Sequence, residues 1–180
     1  EIWNRWRALS PHTRPDLAEA ELEWAEIGAA DLGAANLVGA RLRGAQLNEA
    51  RLYRAEMAGA DLSAAHLVTA DLTGANLQEA RLSSAELCWA ELLITNLYKA
   101  DLRWADLTSA HLVGADLTTA NLEEADLRGA NLRETNLFGT NLQGADLRWV
   151  DLRESDLREA NLAEAKSLLT IAERELERVE

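Results

Sequence analysis

The sequence predicts an all-β solenoid, a rod of stacked backbone coils, on three observations. From Leu22 to Leu162 every fifth residue is Leu, apart from Ile27 and Met57. The residue two positions before each of these centres is nearly always Ala, as in the stretch ADLTGANLQEA at 70–80. Eight of the ten glycines lie two positions after a centre, where a turn most needs a permissive backbone.

The five-residue period fits neither a single helix nor a flat strand. Five residues turn an α-helix by about 500°, so successive leucines would spread around the whole cylinder. An odd spacing in a strand would send them to alternate faces. A spacing of two with both side chains inward is strand-like, and the other three residues must face outward and include a corner. We therefore predict that each pentad is one side of a coil that stacks on copies of itself.

The tandem motif A(D/N)LXX, found at 70–72, 75–77 and 130–132, resembles the pentapeptide-repeat proteins. The resemblance covers residues 20–165 without interruption. It implies a right-handed quadrilateral β-helix with four pentads in each coil. With roughly 4.8 Å per coil, we expect about seven coils in a rod of about 35 Å.

Both ends depart from the repeat and are predicted to be short helical caps, because open terminal coils expose apolar interior and unpaired backbone. Residues 1–19 are assigned to an N-terminal cap with a degenerate first repeat, and 20–165 to the β-helix. Residues 166–180 are predicted to form a C-terminal capping helix, or alternatively a dimerisation helix. The chain opens on Glu rather than Met, which is compatible with a repeat module taken from a larger protein.

Composition excludes several classes of function. A formal net charge of −13 disfavours direct nucleic-acid binding and binding to an anionic membrane. With a single cysteine, Cys88, and no signal peptide, we expect a cytoplasmic location. In the proposed stack no His lies beside Cys88 or beside another His, and Leu and Ala fill the interior. We therefore expect no enzyme, no metal site and no cofactor.

If four pentads form a coil, residues twenty positions apart stack on neighbouring coils, and their charged side chains lie next to each other. In one column the signs alternate, as at Glu21, Arg41 and Asp61, and such neighbours are predicted to stabilise the register. Another column carries a candidate acidic strip of carboxylates on consecutive rungs: Glu86, Asp106, Asp126 and Asp146. It is interpreted as a solvated face relieved by Arg128 and Arg148, or as a docking strip for a basic partner. Metal binding is a weaker third interpretation, because a flat ladder presents parallel rather than convergent oxygens.

Apolar residues at outward positions form a second candidate surface, the partner-contact patch. Its members are Trp89, Leu93, Ile94, Tyr98, Trp104 and Val113. Two interpretations remain open: side chains that lean over the corners of the coil, or a surface that contacts a protein partner or a second copy.

These features predict a non-enzymatic protein-interaction or scaffold module. Its partner is either another protein or a second copy, bound through the C-terminal helix or through the mid-rod patch. The resemblance implies an alternative, because some pentapeptide-repeat proteins mimic B-form DNA and occupy the DNA-binding saddle of DNA gyrase or topoisomerase IV. The net acidity fits that alternative, whereas arginines on all four faces weigh against it.

Overall fold

The computed structural model describes residues 2–166, which form helix α1 (Ile2–Leu9) followed by a continuous solenoid. Successive coils pair through parallel backbone bridges between residues twenty positions apart, from Asp16 with Asn36 to Asp146 with Lys166. Four pentads therefore complete each coil, as the family resemblance implied. The bridges are isolated ones, and within residues 2–166 no longer strand is found. The right-handed sense remains a prediction.

A tight turn closes every pentad. In one example the amide of Ala75 donates to the carbonyl of Leu72 at 2.9 Å. The residue two positions after each centre has a positive φ, from 49° at Ile94 to 69° at Gly129, as in a type II turn. Glycine marked these corners in the sequence, yet 22 non-glycine residues of the described range 2–166 adopt the same backbone. Hydrogen bonds to the next coil hold them there, such as that from the Ile94 amide to the Val113 carbonyl at 3.0 Å.

Where the residue before a centre is Asp or Asn, its side chain accepts a hydrogen bond from a backbone amide for which the backbone ladder provides no acceptor. The Thr73 amide donates to Oδ1 of Asp71 at 3.0 Å, and the Gln78 amide donates to Oδ1 of Asn76 at 3.2 Å. Only a short side chain with an acceptor oxygen makes this local bond. The second letter of the A(D/N)LXX motif is therefore explained by backbone satisfaction.

The interior contains the Ala and Leu positions. From residue 35 to residue 147 these positions are 0–1% exposed. Thr95, Thr135 and Thr140 replace Ala at three of them, and each hydroxyl donates to a Leu carbonyl at 2.8–3.0 Å. These bonds satisfy the hydroxyls, so the interior accepts Thr without an unpaired polar group.

Helix α1 docks on the first coils through polar contacts and through Trp3, which packs against the core. The indole N–H of Trp3 donates to the carbonyl of Asp31 at 2.8 Å, and the buried guanidinium of Arg7 donates to the carbonyl of Gly33 at 3.0 Å. Ile2, the first residue of the apolar spacing that predicted the helix, is 88% exposed. The apolar spacing thus indicated a helix but did not identify the side that docks.

The predicted C-terminal capping helix lies outside the described residues, apart from Lys166. The backbone of Lys166 pairs with that of Asp146 and continues the ladder. Within the described part of the chain, no helix has the length and apolar character needed to cross a membrane.

Candidate functional site

The corners of successive coils form four straight edges along the rod, because residues twenty apart lie on neighbouring rungs. One of these edges passes through the predicted partner-contact patch, and we name it the Ile94 edge. Its central members are Arg54, Gly74, Ile94, Gly114 and Glu134.

Four patch residues lie together around this edge. Trp89 and Ile94 occupy neighbouring corners and bound the side of the coil that carries Leu93. Val113 lies on the next rung of the same side. Trp89 and Ile94 are exposed, whereas Leu93 and Val113 are half-buried. The structure therefore brings Leu93, Ile94 and Val113 into one apolar surface, with Trp89 at its far border.

The other two patch residues lie elsewhere. Tyr98 is on the next side around the coil, and Trp104 is at a corner diagonally opposite the Ile94 edge. Each ring is contacted by a cation of its own pentad. Nζ of Lys99 lies 5.1 Å from the Tyr98 ring, and the guanidinium of Arg103 lies 5.1 Å from the Trp104 ring. The six predicted residues are therefore not a single surface.

Ile94 combines exposure with an unfavourable backbone. Its φ of 49° lies in the left-handed region, which β-branched residues avoid, and its side chain is 68% exposed. Glycines occupy the adjacent rungs, and a γ-carbon of Ile94 lies 3.3 Å from the place where a Cβ of Gly114 would be. The side chain thus projects between two stretches of bare backbone.

Opposite charges flank Ile94 two rungs away on either side. Arg54 lies toward the N-terminal end and Glu134 toward the C-terminal end, and both are exposed. No ion pair of Arg54 is found among residues 2–166. Glu134 makes a long contact of 3.9 Å with Arg133 of its own pentad. Both charges remain accessible to a partner.

The acidic strip does occupy consecutive rungs, but its lower half is bound internally. Nε of Arg128 donates to Asp126 at 2.8 Å, and the guanidinium of Arg148 donates to Asp146 at 2.6 Å. Asp146 is only 7% exposed. The hydrogen bonds from Arg148 lower the pKa of Asp146 more than burial raises it. These two carboxylates are therefore already paired with arginines of the same chain.

The upper half of the strip has other partners. The carboxylate of Glu86 lies 2.7 Å from Nδ1 of His66. The Cys88 thiol hydrogen-bonds to Asp106, and burial, followed by this bond, raises the pKa of Cys88 to about 12. The thiol is therefore protonated at neutral pH, and it is not an activated nucleophile.

The ion pairs of Arg128 and Arg148 confirm the relief that the sequence predicted for the lower half of the strip. They are two instances of a tripeptide, Asp-Leu-Arg, whose recurrence the sequence analysis did not single out. In each case the arginine binds the aspartate of its own pentad: Asp101–Arg103, Asp126–Arg128, Asp146–Arg148, Asp151–Arg153 and Asp156–Arg158. In the alternating column, the ion pair found between rungs of the described chain is Arg41 with Glu21, at 3.3 Å. Lower in that column Asp101 is bound by Arg103 rather than by Arg81. Within residues 2–166 of this column, one expected pair between rungs is thus found, and at Asp101 a pair within the pentad takes the place of another.

The pentapeptide-repeat family model matches residues 25–63, 55–92, 95–123, 115–153 and 130–166, as eight copies. No curated protein matches the chain. Among solved structures, the chain is similar to HetL, a pentapeptide repeat protein involved in heterocyst differentiation regulation from the cyanobacterium Nostoc sp. strain PCC 7120. The identity is 27%, over 88% of this chain and 93% of HetL, with a TM-score of 0.47.

Two further similarities have lower TM-scores. Rfr23 from the cyanobacterium Cyanothece 51142 is 39% identical over 53% of this chain and 63% of its own, with a TM-score of 0.38. QnrB1, a plasmid-mediated fluoroquinolone resistance protein, is 19% identical over 93% and 98%, with a TM-score of 0.34. The family model covers most of the repeat region, and the coils have the twenty-residue period that it implies. The chain belongs to the pentapeptide-repeat family.

Proposed function

We propose that this chain is a non-enzymatic protein-interaction module whose contact surface is the Ile94 edge with the adjoining Leu93 and Val113. The observation that carries the proposal is Ile94 itself, a β-branched side chain that is 68% exposed at a positive φ. Such a residue adds strain to the fold and buries little apolar area. A partner that covers it gains the apolar burial that the folded monomer lacks.

Two features support the non-enzymatic part of the proposal. The interior positions from residue 35 to residue 147 are filled by Ala, Leu, Met and Thr, so the coils contain a packed core. Cys88 has a pKa of about 12, which keeps its thiol protonated. By family membership we also infer the right-handed sense of the rod.

The test is a double substitution, Leu93→Glu with Ile94→Lys, compared with the matched pair Thr118→Glu with Thr119→Lys at the same pentad positions on the next edge. Affinity capture from extracts of the source organism should lose its co-purifying proteins with the first variant and keep them with the second. Both variants should melt within a few degrees of the wild type, because these side chains face outward. Equal capture by all three proteins would contradict the proposal.

DNA mimicry is the second candidate, and it is favoured by the net charge of −13 and by four carboxylates on consecutive rungs. The ion pairs of Arg128 with Asp126 and of Arg148 with Asp146 weigh against it, because they neutralise the carboxylates that would imitate phosphates. If the rod is a mimic, it inhibits DNA gyrase supercoiling at low salt. Inhibition should then weaken with rising salt and after joint neutralisation of the acidic strip by Glu86→Gln, Asp106→Asn, Asp126→Asn and Asp146→Asn. A rod without effect on supercoiling excludes the mimic.

A further inference from the structure

The Ile94 edge has a pattern that is complementary to its own reverse. Along the rod its members are Arg54, Gly74, Ile94, Gly114 and Glu134. When the order is reversed, Glu134 meets Arg54, Gly114 meets Gly74, and Ile94 meets itself. A twofold interface requires this kind of pairing, in which residue i contacts j and j contacts i.

We propose that the chain forms an antiparallel twofold dimer in which the Ile94 edges of two copies lie against each other. The inference rests on the interaction module proposed above and identifies its partner as a second copy. The twofold axis passes beside Ile94, perpendicular to both rods.

The register follows from the twenty-residue coil. Arg54 and Glu134 each lie two rungs from Ile94, on opposite sides of it. At roughly 4.8 Å per rung, each is about 10 Å from the axis. Arg54 of one copy therefore lies opposite Glu134 of the other, and the same ion pair recurs at the other end. Both pairs form in the register that brings the two Ile94 side chains together.

The glycines and the neighbouring column support close contact. Gly74 of one copy faces Gly114 of the other, and because neither has a Cβ atom, the rungs beside Ile94 leave room for the two Ile94 side chains to pack together at the axis. In the neighbouring column Leu93 faces its own counterpart, and Val113 faces Thr73. An apolar centre with charged pairs at both ends is the usual anatomy of a specific interface.

Charge distinguishes this arrangement from its alternatives. A parallel dimer would place Arg54 against Arg54 and Glu134 against Glu134, which is repulsive at both ends. Within residues 2–166 Arg54 forms no ion pair, so it is free to bind the partner copy's Glu134. The net charge of −13 on each copy opposes association, so the local complementarity must offset a general repulsion.

The size of the contact sets the expected affinity. A single edge spanning about five rungs is narrow, and it belongs at the low end of interface sizes. We expect a dissociation constant in the micromolar range, so dimers form across roughly 1–500 µM protein. Analytical ultracentrifugation covers this range.

The decisive experiment is a charge exchange in the purified protein, with no other protein present. Arg54→Glu and Glu134→Arg should each weaken the dimer at least about tenfold, because each places like charges opposite one another twice. The combined variant, with both substitutions, should restore the dimer. Arg43→Glu is the matched control: Arg43 is exposed on the far side of the rod, and this change alters net charge as Arg54→Glu does. It should leave the dimer unchanged.

Three results would overturn the inference: a wild type that stays monomeric up to the highest concentration, a dimer that tolerates both single substitutions, or a combined variant that fails to recover. A monomeric wild type would not change the interpretation of the capture experiment, since a monomer can also bind other proteins. Conversely, a dimer that responds as expected would stand even if no other protein were captured. Thermal melts of every variant establish that the fold is kept.

Cysteine cross-linking provides an independent measurement. Ile94→Cys in a Cys88→Ser background should form a covalent dimer under mild oxidation, because the two side chains meet at the axis. Ser84→Cys in the same background, at a corner on the diagonally opposite edge, should not cross-link. Equal cross-linking of the two variants would overturn the register.

Discussion

The Ile94 edge and the acidic strip are built from the same pentad, yet they differ in how many of their exposed groups already have a partner within the chain. In the lower half of the strip, Asp126 and Asp146 are bound by the arginines of their own pentads. On the Ile94 edge an apolar side chain is 68% exposed, and Arg54 forms no ion pair among residues 2–166. A count of carboxylates therefore overstates the binding capacity of the strip, whereas the few unsatisfied groups of the edge are available to a partner.

The difference arises from position within the pentad. Asp126 and Arg128 are two residues apart on one side of the coil, so their side chains emerge together and meet at 2.7 Å. A corner residue such as Ile94 projects away from both adjoining sides, and its nearest neighbours are the corner residues of the next rungs. Where those are glycines, as on both sides of Ile94, no side chain of residues 2–166 covers the corner residue, and Ile94 is 68% exposed.

The largest expected effect comes from the core beneath both surfaces. Leu92 is 1% exposed, while the adjacent Leu93 faces outward. Leu92→Asp buries a carboxylate without a partner and should cost several kcal/mol, about 3 or more. Leu93→Asp is the matched control and should cost less than about 0.5 kcal/mol. Denaturant unfolding followed by circular dichroism measures the stability of both variants. Equal unfolding midpoints would mean that the assignment of Leu92 inward and Leu93 outward is wrong.

A smaller effect separates the two halves of the acidic strip. Asp146→Ala removes the acceptor of the Arg148 amide and of its guanidinium, and it should destabilise the rod by about 1–2 kcal/mol. Glu86→Ala removes a half-exposed carboxylate and should change stability by less than about 0.5 kcal/mol. If Glu86→Ala proved the more costly change in a denaturant titration, the strip would not be divided as described.

The ion pairs between Asp and Arg of the same pentad also predict that the rod loses stability in acid. Hydrogen bonds from Arg158 lower the pKa of Asp156 from 3.8 to about 2, and Arg148 and Arg153 lower those of Asp146 and Asp151. A carboxylate with a lowered pKa in the folded state stabilises the fold above its unfolded pKa and loses that contribution as the pH falls. The melting temperature should therefore change little down to about pH 5 and decline between about pH 4 and 2.

The control for the acid transition removes the cause of the lowered pKa values. A variant with Arg148→Gln and Arg158→Gln should show a shallower decline over the same pH range. A decline of equal steepness in both proteins would locate the acid sensitivity in other groups.

The Ile94 edge predicts a substitution that separates folding from association. Ile94→Gly relieves backbone strain of about 1–2 kcal/mol and increases the entropy of the unfolded chain by about 0.5–1 kcal/mol. The variant should therefore be at least as stable as the wild type while it loses self-association. Thr119→Gly, at the corner of the next edge, should gain similar stability and keep the association. A lower melting temperature for Ile94→Gly would show that the side chain supports the fold.

The smallest effect is one of reactivity without a change in stability. Because the pKa of Cys88 is raised to about 12, its thiol should react slowly with iodoacetamide near neutral pH, and the rate should rise steadily with pH. Asp106→Ala removes the charge and the acceptor that contribute to this shift, and it should accelerate the reaction. An unchanged rate would assign the shift to burial alone.

Sequence reasoning reached the repeat, its inward positions and the stacking of the candidate carboxylates. Leu92 and Ala90 were placed inside because a spacing of two with one polar residue between them has only one strand-like solution, and both are buried. The corner was found from glycine, since Gly74 and its equivalents recur where φ is positive. The coil length came from the family resemblance, because a five-residue period does not fix how many pentads close a turn.

The sequence by itself thus determined which side chains enter the core and where each turn lies, because burial and backbone permissiveness are local demands that every pentad repeats. Only the tertiary structure decided which outward residues share a surface. Trp104 is ten residues from Ile94 and lies diagonally across the rod, whereas Gly114 is twenty residues away and is its direct neighbour. The structure also shows which charges are paired: Arg128 and Arg148 bind the aspartates two residues before them, as one interpretation of the strip predicted, whereas Asp101 is bound by Arg103 rather than by the neighbouring rung. Two outward residues are neighbours in this fold when they are twenty positions apart, and the five-residue repeat of the sequence does not by itself reveal that longer period.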